Sequence, residues 1–204
     1  MIRLPFWRTP SAWPNKMTDP DALIVVLRDA LPEDALCLGA LGAQVFLDTY
    51  ATQGIREAIA HEVFDVFSPQ AMTQAITRPA CILLIAESRG HLLGFAQVAL
   101  DTDHDMLCTP GAAELQRLYV QERFTGKGIG HRLLEAAERR AADAGAIGLW
   151  ATVWEDNVRA LEFYPRKGYV LKGVPQYLFQ GEIVGNCLFF KTLVGSGAKD
   201  VALL

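Results

Sequence analysis

No apolar run in this 204-residue chain approaches the roughly 20 residues that a membrane-spanning helix needs. Excess positive charge is missing too. Nineteen Lys and Arg stand against 23 Asp and Glu, a formal net charge of -4, which argues against a broad nucleic-acid surface. Cysteine is sparse: four residues, at 37, 81, 108 and 187, with no C-x-x-C pair. Three of them sit in apolar stretches (Leu36-Cys37-Leu38, Cys81-Ile82-Leu83, Cys187-Leu188-Phe189), so buried free thiols in a reducing cytoplasm are expected rather than a disulfide framework. The first twenty residues hold four Pro and two Trp but no continuous apolar segment of a secretory signal. Two phosphate-binding strings are also absent, the G-x-x-x-x-G-K-[ST] loop and the G-x-G-x-x-G dinucleotide fingerprint.

What is present fits an ordinary globular protein, 51% apolar and 21% charged, long enough to bury one substantial core. Residues 1–20 read as a flexible extension, with Met17 an alternative start, residues 21–195 as the domain, and residues 196–204 as a frayed tail. A short strand is expected over Leu23 to Arg28. Pro32-Glu33-Asp34 opens a helix that Leu36, Leu38, Leu41, Val45 and Phe46 continue. A second helix runs from Arg56 to Phe67, with Ile59, Val63, Phe64 and Phe67 on one face, and Ser68-Pro69 starts a third. Strands Cys81 to Glu87 and Leu92 to Leu100 flank a turn at Ser88-Arg89-Gly90-His91. A polar loop from Asp101 to Gly111 leads into the strand Glu114 to Val120. In the helix Gly126 to Ala144, Ile129, Leu133, Ala137 and Ala141 recur every four residues and Gly145 ends it. Ala146 to Trp154 is a buried-type strand, Asn157 caps a helix to about Lys167, and Tyr169 to Gly173 and Asn186 to Val194 close the sheet. This order predicts one α/β domain with a mixed sheet. Pro165 falls inside the last helix, which should distort its final turn.

The segment richest in chemistry is Glu114 to Ala137. A strand enters the turn Thr125-Gly126-Lys127-Gly128-Ile129-Gly130, which opens an amphipathic helix. Glycines leave backbone N–H groups unobstructed, and the helix N-terminus adds partial positive charge. The turn therefore suits a phosphate or pyrophosphate. The competing reading is a tight turn and close helix–sheet packing alone.

With these residues in view, the chain resembles the GCN5-related N-acetyltransferase (GNAT) family. Thr125-x-x-Gly128-x-Gly130 matches the family's [Q/R]-x-x-G-x-[G/A], with Thr125 where Arg or Gln is frequent; Arg123-x-x-Gly126-x-Gly128 fits the same string one step earlier. Leu118-Tyr119-Val120 stands at the family's usual spacing before the turn. A second block, Asn157-Val158-Arg159-Ala160-Leu161-Glu162-Phe163-Tyr164 followed by Gly168-Tyr169, is similar to the family's N-x-x-A-x-x-F-Y and G-[F/Y]. The resemblance is firm over residues 114–170 and architectural before that.

The resemblance implies a mostly antiparallel twisted sheet with helices on both faces and a central strand pair that splays beside Val120. It implies acetyl-coenzyme A as cosubstrate and no metal. The pyrophosphate would rest on Thr125, Gly126, Lys127, Gly128, Ile129 and Gly130, and pantetheine along Leu118, Tyr119 and Val120. Asn157 would bond the cofactor, cap its helix, or do both. An amine would attack the thioester directly, with Tyr164 protonating the departing thiolate; the plainer reading of Tyr164 is a core aromatic beside Phe163. Many members carry a glutamate base at the site matching Gln116. With that acid missing, Glu114 is the candidate, two residues away on what strand alternation makes the same face as Gln116, Leu118 and Val120; Glu155 is second.

Asp101-Thr102-Asp103-His104-Asp105 lacks the spacing of a calcium or zinc site and reads as a solvated loop; the resemblance implies that it lies near the acceptor, where its acids would attract a cationic amine. His131 reads as an exposed polar residue, and Lys127, Arg132 and Arg123 as possible helpers toward coenzyme A phosphates. The expected activity is transfer of acetyl to a primary amine of a small molecule or a peptide, in the cytoplasm, without nucleic-acid or membrane partners; homodimerisation comes only with the family. The alternative is a non-catalytic acyl-coenzyme A-binding regulatory module, which would need no proton donor at Tyr164.

Overall fold

In the computed structural model, which describes residues 23–179 and 182–193, the chain folds as β1 Val26–Asp29, α1 Ala35–Tyr50, α2 Glu57–Val66, α3 Pro69–Thr77, β2 Cys81–Ser88, β3 His91–Ala99, β4 Ala112–Val120, α4 Ile129–Asp143, β5 Gly148–Trp154, α5 Val158–Arg166, β6 Val170–Gly173, β7 Gln176–Phe179 and β8 Glu182–Thr192. The expected extension at 1–20 and tail at 196–204 lie outside the described residues. The sheet order is β1-β2-β3-β4-β5-β8-β6, with β7 paired to β8 beyond the main path. β4 and β5 run parallel and every other pair is antiparallel.

Local chemistry accounts for the elements. Arg89 and Gly90 both take positive φ (52° and 75°), the two-residue turn whose twist suits a β2–β3 hairpin. Ser68 caps α3 by accepting the Ala71 N–H at 3.1 Å, with Pro69 at the first helical position. Pro32–Asp34 forms a 3-10 turn before α1 rather than its first turn. In α4 the four-residue repeat works as the sequence suggests: Ile129, Leu133, Ala137 and Ala141 are all buried. Pro165 lies inside α5, whose last turn tightens as expected. Lys167 N–H bonds back to Tyr164, Gly168 N–H to Pro165 and Tyr169 N–H to Tyr164, with Gly168 at φ +81°, a closed C-terminal motif that supplies acceptors and donors without the missing proline N–H.

Two cores lie on opposite faces. Helix α4 covers one with Leu133 and Leu134 against Leu84, Ala96, Val98 and Leu115, and α5 adds Tyr164 to that side. Helices α1 and α3 cover the other with Leu38, Leu41 and Met72 against Ile85 and Phe95. Each such aliphatic side chain contributes about 1.5–3 kcal/mol when fully buried.

Three expectations need correction. Phe64 is 76% exposed, because α2 is short and buries Ile59, leaving Phe67 beyond its end to fill the core. Cys37 and Cys108 are exposed and Cys81 and Cys187 half-buried: α1 turns Leu36 and Cys37 outward, and Cys108 sits in a loop, so an apolar neighbourhood in sequence does not bury a thiol. Finally, β7 was not anticipated. Gln176–Phe179 is four residues long and holds its place by pairing with the start of β8, a contact visible only once the chain has folded back.

Candidate active site

Two irregularities in β4 create the site. The first is its brief pairing with β5, which runs from Ala112↔Gly148 to Glu114↔Trp150 and stops. Beyond Glu114, the β4 edge that faced β5 has no strand partner among the described residues, so a wedge opens between the two strands. The second is a β-bulge. Gln97 of β3 pairs with Arg117 while the next residue, Val98, pairs with Leu115, leaving Gln116 as the extra residue.

The bulge overturns simple alternation. Leu118 and Val120 pack on the α4 side with Ala113 and Leu115, whereas Tyr119 packs on the α1 side with Phe95. Glu114 therefore does not share a face with Leu118 and Val120. The added residue switches the inside–outside pattern partway along the strand.

Glu114 lines a cavity of about 360 Å3 with Asp103, His104, Asp105, Trp150, Thr152 and Tyr177. Trp150 and Thr152 follow strand alternation in β5, and Tyr177 comes from β7. Asp103 holds the loop in place by accepting the Ala112 N–H at 3.1 Å. His104 accepts the Met106 N–H on Nδ1 at 3.2 Å, which leaves Nε2–H to donate to the Tyr177 hydroxyl at 3.1 Å. Its ring meets Trp150 edge-on, centroids 5.0 Å apart, and the Trp150 indole N–H donates to Thr102 O at 2.7 Å. Burial raises the Glu114 carboxyl above the ordinary range, opposed by the Gln116 hydrogen bond and by Arg117 and His104. Burial and then the Glu114 charge raise the Tyr177 phenol, against a Thr152 hydrogen bond. The acidic loop thus joins Glu114 at one cavity; among the described residues no group of His, Cys, Asp and Glu has a metal-holding arrangement. Glu155 lies elsewhere, its carboxylate against Gly185.

The glycine turn lies at the other end of β4. A 3-10 turn, Glu122–Phe124, is closed by Thr125, whose hydroxyl donates to Glu122 O at 2.8 Å. Gly126 and Gly128 take φ of +73° and +78°, and a Cβ at either would project into open space. Among the described residues, none of the N–H groups from Gly126 to His131 donates to a backbone carbonyl. A row of backbone donors at the N-terminus of α4, with no described side chain within 4 Å of a Cβ at Gly126 or Gly128, has the chemistry to accept an anion the size of a pyrophosphate. Ile129 anchors the turn from beneath, being buried. Lys127 and Arg123 sit over the Phe124 ring, at 5.2 Å and 5.8 Å. Arg132 turns away and donates to Val25 O at 2.9 Å, so it ties down the chain before β1. His131 is only partly exposed, its Nε2 3.4 Å from Glu135 and its Nδ1 buried without a hydrogen-bond partner among the described residues.

Tyr164 lies on the α4 side of the wedge, buried among Phe163, Tyr169 and Phe189. Burial, then the neighbouring Tyr50 phenol, pushes its hydroxyl well above the usual tyrosine value. Tyr50 comes from the end of α1 and packs on Trp154 of β5 with centroids 5.5 Å apart. Tyr119 is also held in its phenol form, by burial first and Tyr50 second. Asn157 caps α5, its Oδ1 accepting the Ala160 N–H at 3.1 Å. Residues the sequence did not single out are thus Trp150, Thr152, Tyr177 and Gln97. Trp150 and Thr152 carried a signal, the alternation of a strand beside Glu114; the others depend on tertiary folding.

An opened parallel pair, a bulged strand and a glycine cradle at a helix N-terminus define an acetyltransferase architecture. The acetyltransferase (GNAT) family model matches residues 49–169, and the chain belongs to that family. It is 25% identical over 129 residues to an N-acetyltransferase from the pepI 3′ region of Lactobacillus delbrueckii subsp. lactis, covering 63% of this chain and 75% of that protein. It is 31% identical over 96 residues to the spermine/spermidine N(1)-acetyltransferase of Bacillus subtilis, covering 47% of this chain and 62% of that one. The fold is that of the PaiA N-acetyltransferase from Thermoplasma acidophilum, crystallised in complex with coenzyme A, with TM-score 0.67, 22% identity, and coverage of 83% of this chain and 99% of that one. No described helix is long and apolar enough to cross a membrane.

Proposed function

We propose that this enzyme transfers the acetyl group of acetyl-coenzyme A directly to the primary amine of a small cationic molecule. The observation that carries the reading is the position of Glu114: it is the last residue of β4 paired with β5 and also a wall of the acidic, aromatic cavity. A nucleophile held there lies at the mouth of the wedge.

The residues fit the two substrates. The N–H groups of Gly126 to Gly130 offer donors to a pyrophosphate, and the freed edge from Leu118 to Val120 offers backbone groups to pantetheine. Lys127 adds positive charge nearby, and Asn157 keeps its amide N–H2 for the same ligand while its oxygen caps α5. When bound, acetyl-coenzyme A supplies an activated acyl carbon. Asp103, Asp105 and Glu114 attract an ammonium group, and the Trp150 and Tyr177 rings offer faces to it. Glu114, with its raised proton affinity, accepts the proton that the amine must lose, since an alkylammonium has a pKa of about 10. Tyr164 donates its proton to the leaving sulfur. Its phenol binds that proton tightly, but a thiolate forming in the same dry environment is raised by the same desolvation.

Support for the donor comes from the coenzyme A complex of the Thermoplasma protein, and support for a polycationic acceptor from the name of the Bacillus subtilis relative. Thiol release from acetyl-coenzyme A, measured with spermidine, an alkylamine, an amino-acid ester and an amino acid, tests it. Spermidine and the alkylamine should turn over faster than the amino acid, whose carboxylate meets the acidic wall. Thiol release that no amine accelerates would overturn the reading.

A further inference from the structure

The bulge does more than open the strand. By inserting Gln116 it places the side chains of Gln116 and Arg117 on one face, where both reach the single residue opposite them, Gln97. Arg117 Nη1 donates to Gln97 Oε1 at 2.6 Å, Gln97 Nε2 donates to Gln116 Oε1 at 2.9 Å, and Gln116 Nε2 donates to Glu114 Oε2 at 3.1 Å. Gln97 is 6% exposed, one of few buried polar residues in the described core. A buried amide is costly without partners, so its two bonds hold it in one orientation. Arg117 is itself held over the Phe67 ring at 5.4 Å.

The chain has a direction. A guanidinium only donates, so Gln97 must turn its carbonyl toward Arg117 and its N–H2 toward Gln116. Gln116 must do likewise, which aims a donor at Glu114. The last member therefore has to accept, and the group that accepts best is a carboxylate.

We propose that Arg117, Gln97 and Gln116 are positioning residues that orient the Glu114 carboxylate and stabilise its proton-accepting form for the amine. The proposal rests on the reading of Glu114 as the base. It explains how this chain works with an amide at 116: the amide becomes the donor that fixes an acid two residues earlier.

The other groups facing Glu114 are His104, Asp103 and Asp105 from the β3–β4 loop and Tyr177 from β7, with the uncharged Trp150 and Thr152 from β5. Burial raises its proton affinity; the Gln116 bond, Arg117 and His104 lower it. Removing the Gln116 donor leaves the burial in place and takes away a lowering influence. Gln97 and Gln116 also line a second cavity of about 250 Å3, together with Gln74, Arg78 and Cys81.

The test is a titration of Glu114 in the free protein, by NMR of carbon-13-labelled glutamate with the signal assigned by Glu114→Gln, beside the pH profile of kcat/KM with spermidine. Gln116→Met removes the last donor from an exposed position; Gln97→Met removes the middle link, with a thermal melt to confirm folding. Both variants should raise the Glu114 midpoint by about half a pH unit or more, shift the acid limb of kcat/KM by the same amount, and lower kcat more than they raise KM. A midpoint unchanged in Gln116→Met overturns the proposal, whatever Glu114→Gln does to turnover. An acid limb that survives in Glu114→Gln overturns instead the reading of Glu114 as the base, while the NMR midpoint still decides whether the amide chain acts on it.

Discussion

Tyr164 lies nearly flat against Phe189, with ring centroids 5.6 Å apart and planes 20° from parallel. Its edge contacts with Phe163 and Tyr169 complete a socket that fixes the ring and leaves the hydroxyl as its one polar atom. Packing and proton donation are therefore separable. Tyr164→Phe should keep its melting temperature within a few degrees and bind acetyl-coenzyme A almost normally. Turnover should fall by roughly 10- to 100-fold, in kcat and kcat/KM together, because the lost interaction belongs to the transition state. Pre-steady-state kinetics must first show that chemistry limits the rate. Turnover at the wild-type level would leave Tyr164 a packing residue only.

The glycine turn permits a contrast within one loop. Gly128 has φ +78° and faces open space, so Gly128→Asp places a strained residue and a negative charge where the anion would lie. Calorimetry should show acetyl-coenzyme A binding reduced to near the detection limit while the protein stays folded. Gly130 has no positive φ, and an added Cβ would meet Val120 Cγ2 at 3.7 Å, an ordinary contact. Gly130→Ala should bind with wild-type affinity. Equal loss in both variants would mean that the loop responds to bulk anywhere rather than to blockage of the cradle.

These residues also show what a sequence can carry. The α4 repeat and its glycine entry were legible because helix periodicity and capping act within a few residues of one another. The β2–β3 turn was legible for the same reason. The face of Glu114 was not. Its side depends on Gln116 being an unpaired extra residue in a ladder with β3, and no local pattern in ELQRLYV marks a bulge. Tyr177 was missed because β7 exists only by pairing with β8. The proposed donor on α5 could be named from the family motif and the proposed base on β4 from its place two residues before Gln116; the walls of the cavity come from loops and edges that converge in three dimensions.

The acidic loop gives a charge test. Asp103 Oδ1 accepts the Ala112 N–H, and an asparagine oxygen can do the same, so Asp103→Asn with Asp105→Asn removes charge and keeps the loop. The KM for spermidine should rise several-fold and that for acetyl-coenzyme A should change little. Added salt should narrow the difference between variant and wild type, because the attraction is screened within about 10 Å at 0.1 M. Unchanged spermidine constants at low salt would remove the loop from acceptor recognition.

The last prediction concerns stability. Glu114 has a proton affinity raised first by burial, and the folded protein therefore binds its proton more tightly than the unfolded chain does. The sign follows from linkage. Below the unfolded value, near pH 4.3, the carboxyl is neutral in both states and costs nothing. As pH rises through the folded value, ionising it in place becomes unfavourable and stability is lost. Glu114→Gln removes that ionisation and keeps an oxygen for the Gln116 donor. The variant should therefore be inactive with amines yet melt higher than wild type at pH 7, by less than about 1 kcal/mol because solvent still reaches the carboxyl. The advantage should shrink as pH falls through the raised carboxyl value and vanish near pH 4. Melting curves across pH 4 to 8 measure it. An advantage independent of pH would assign the effect to packing, and a loss of stability at pH 7 would show that the charged form is the one the fold prefers.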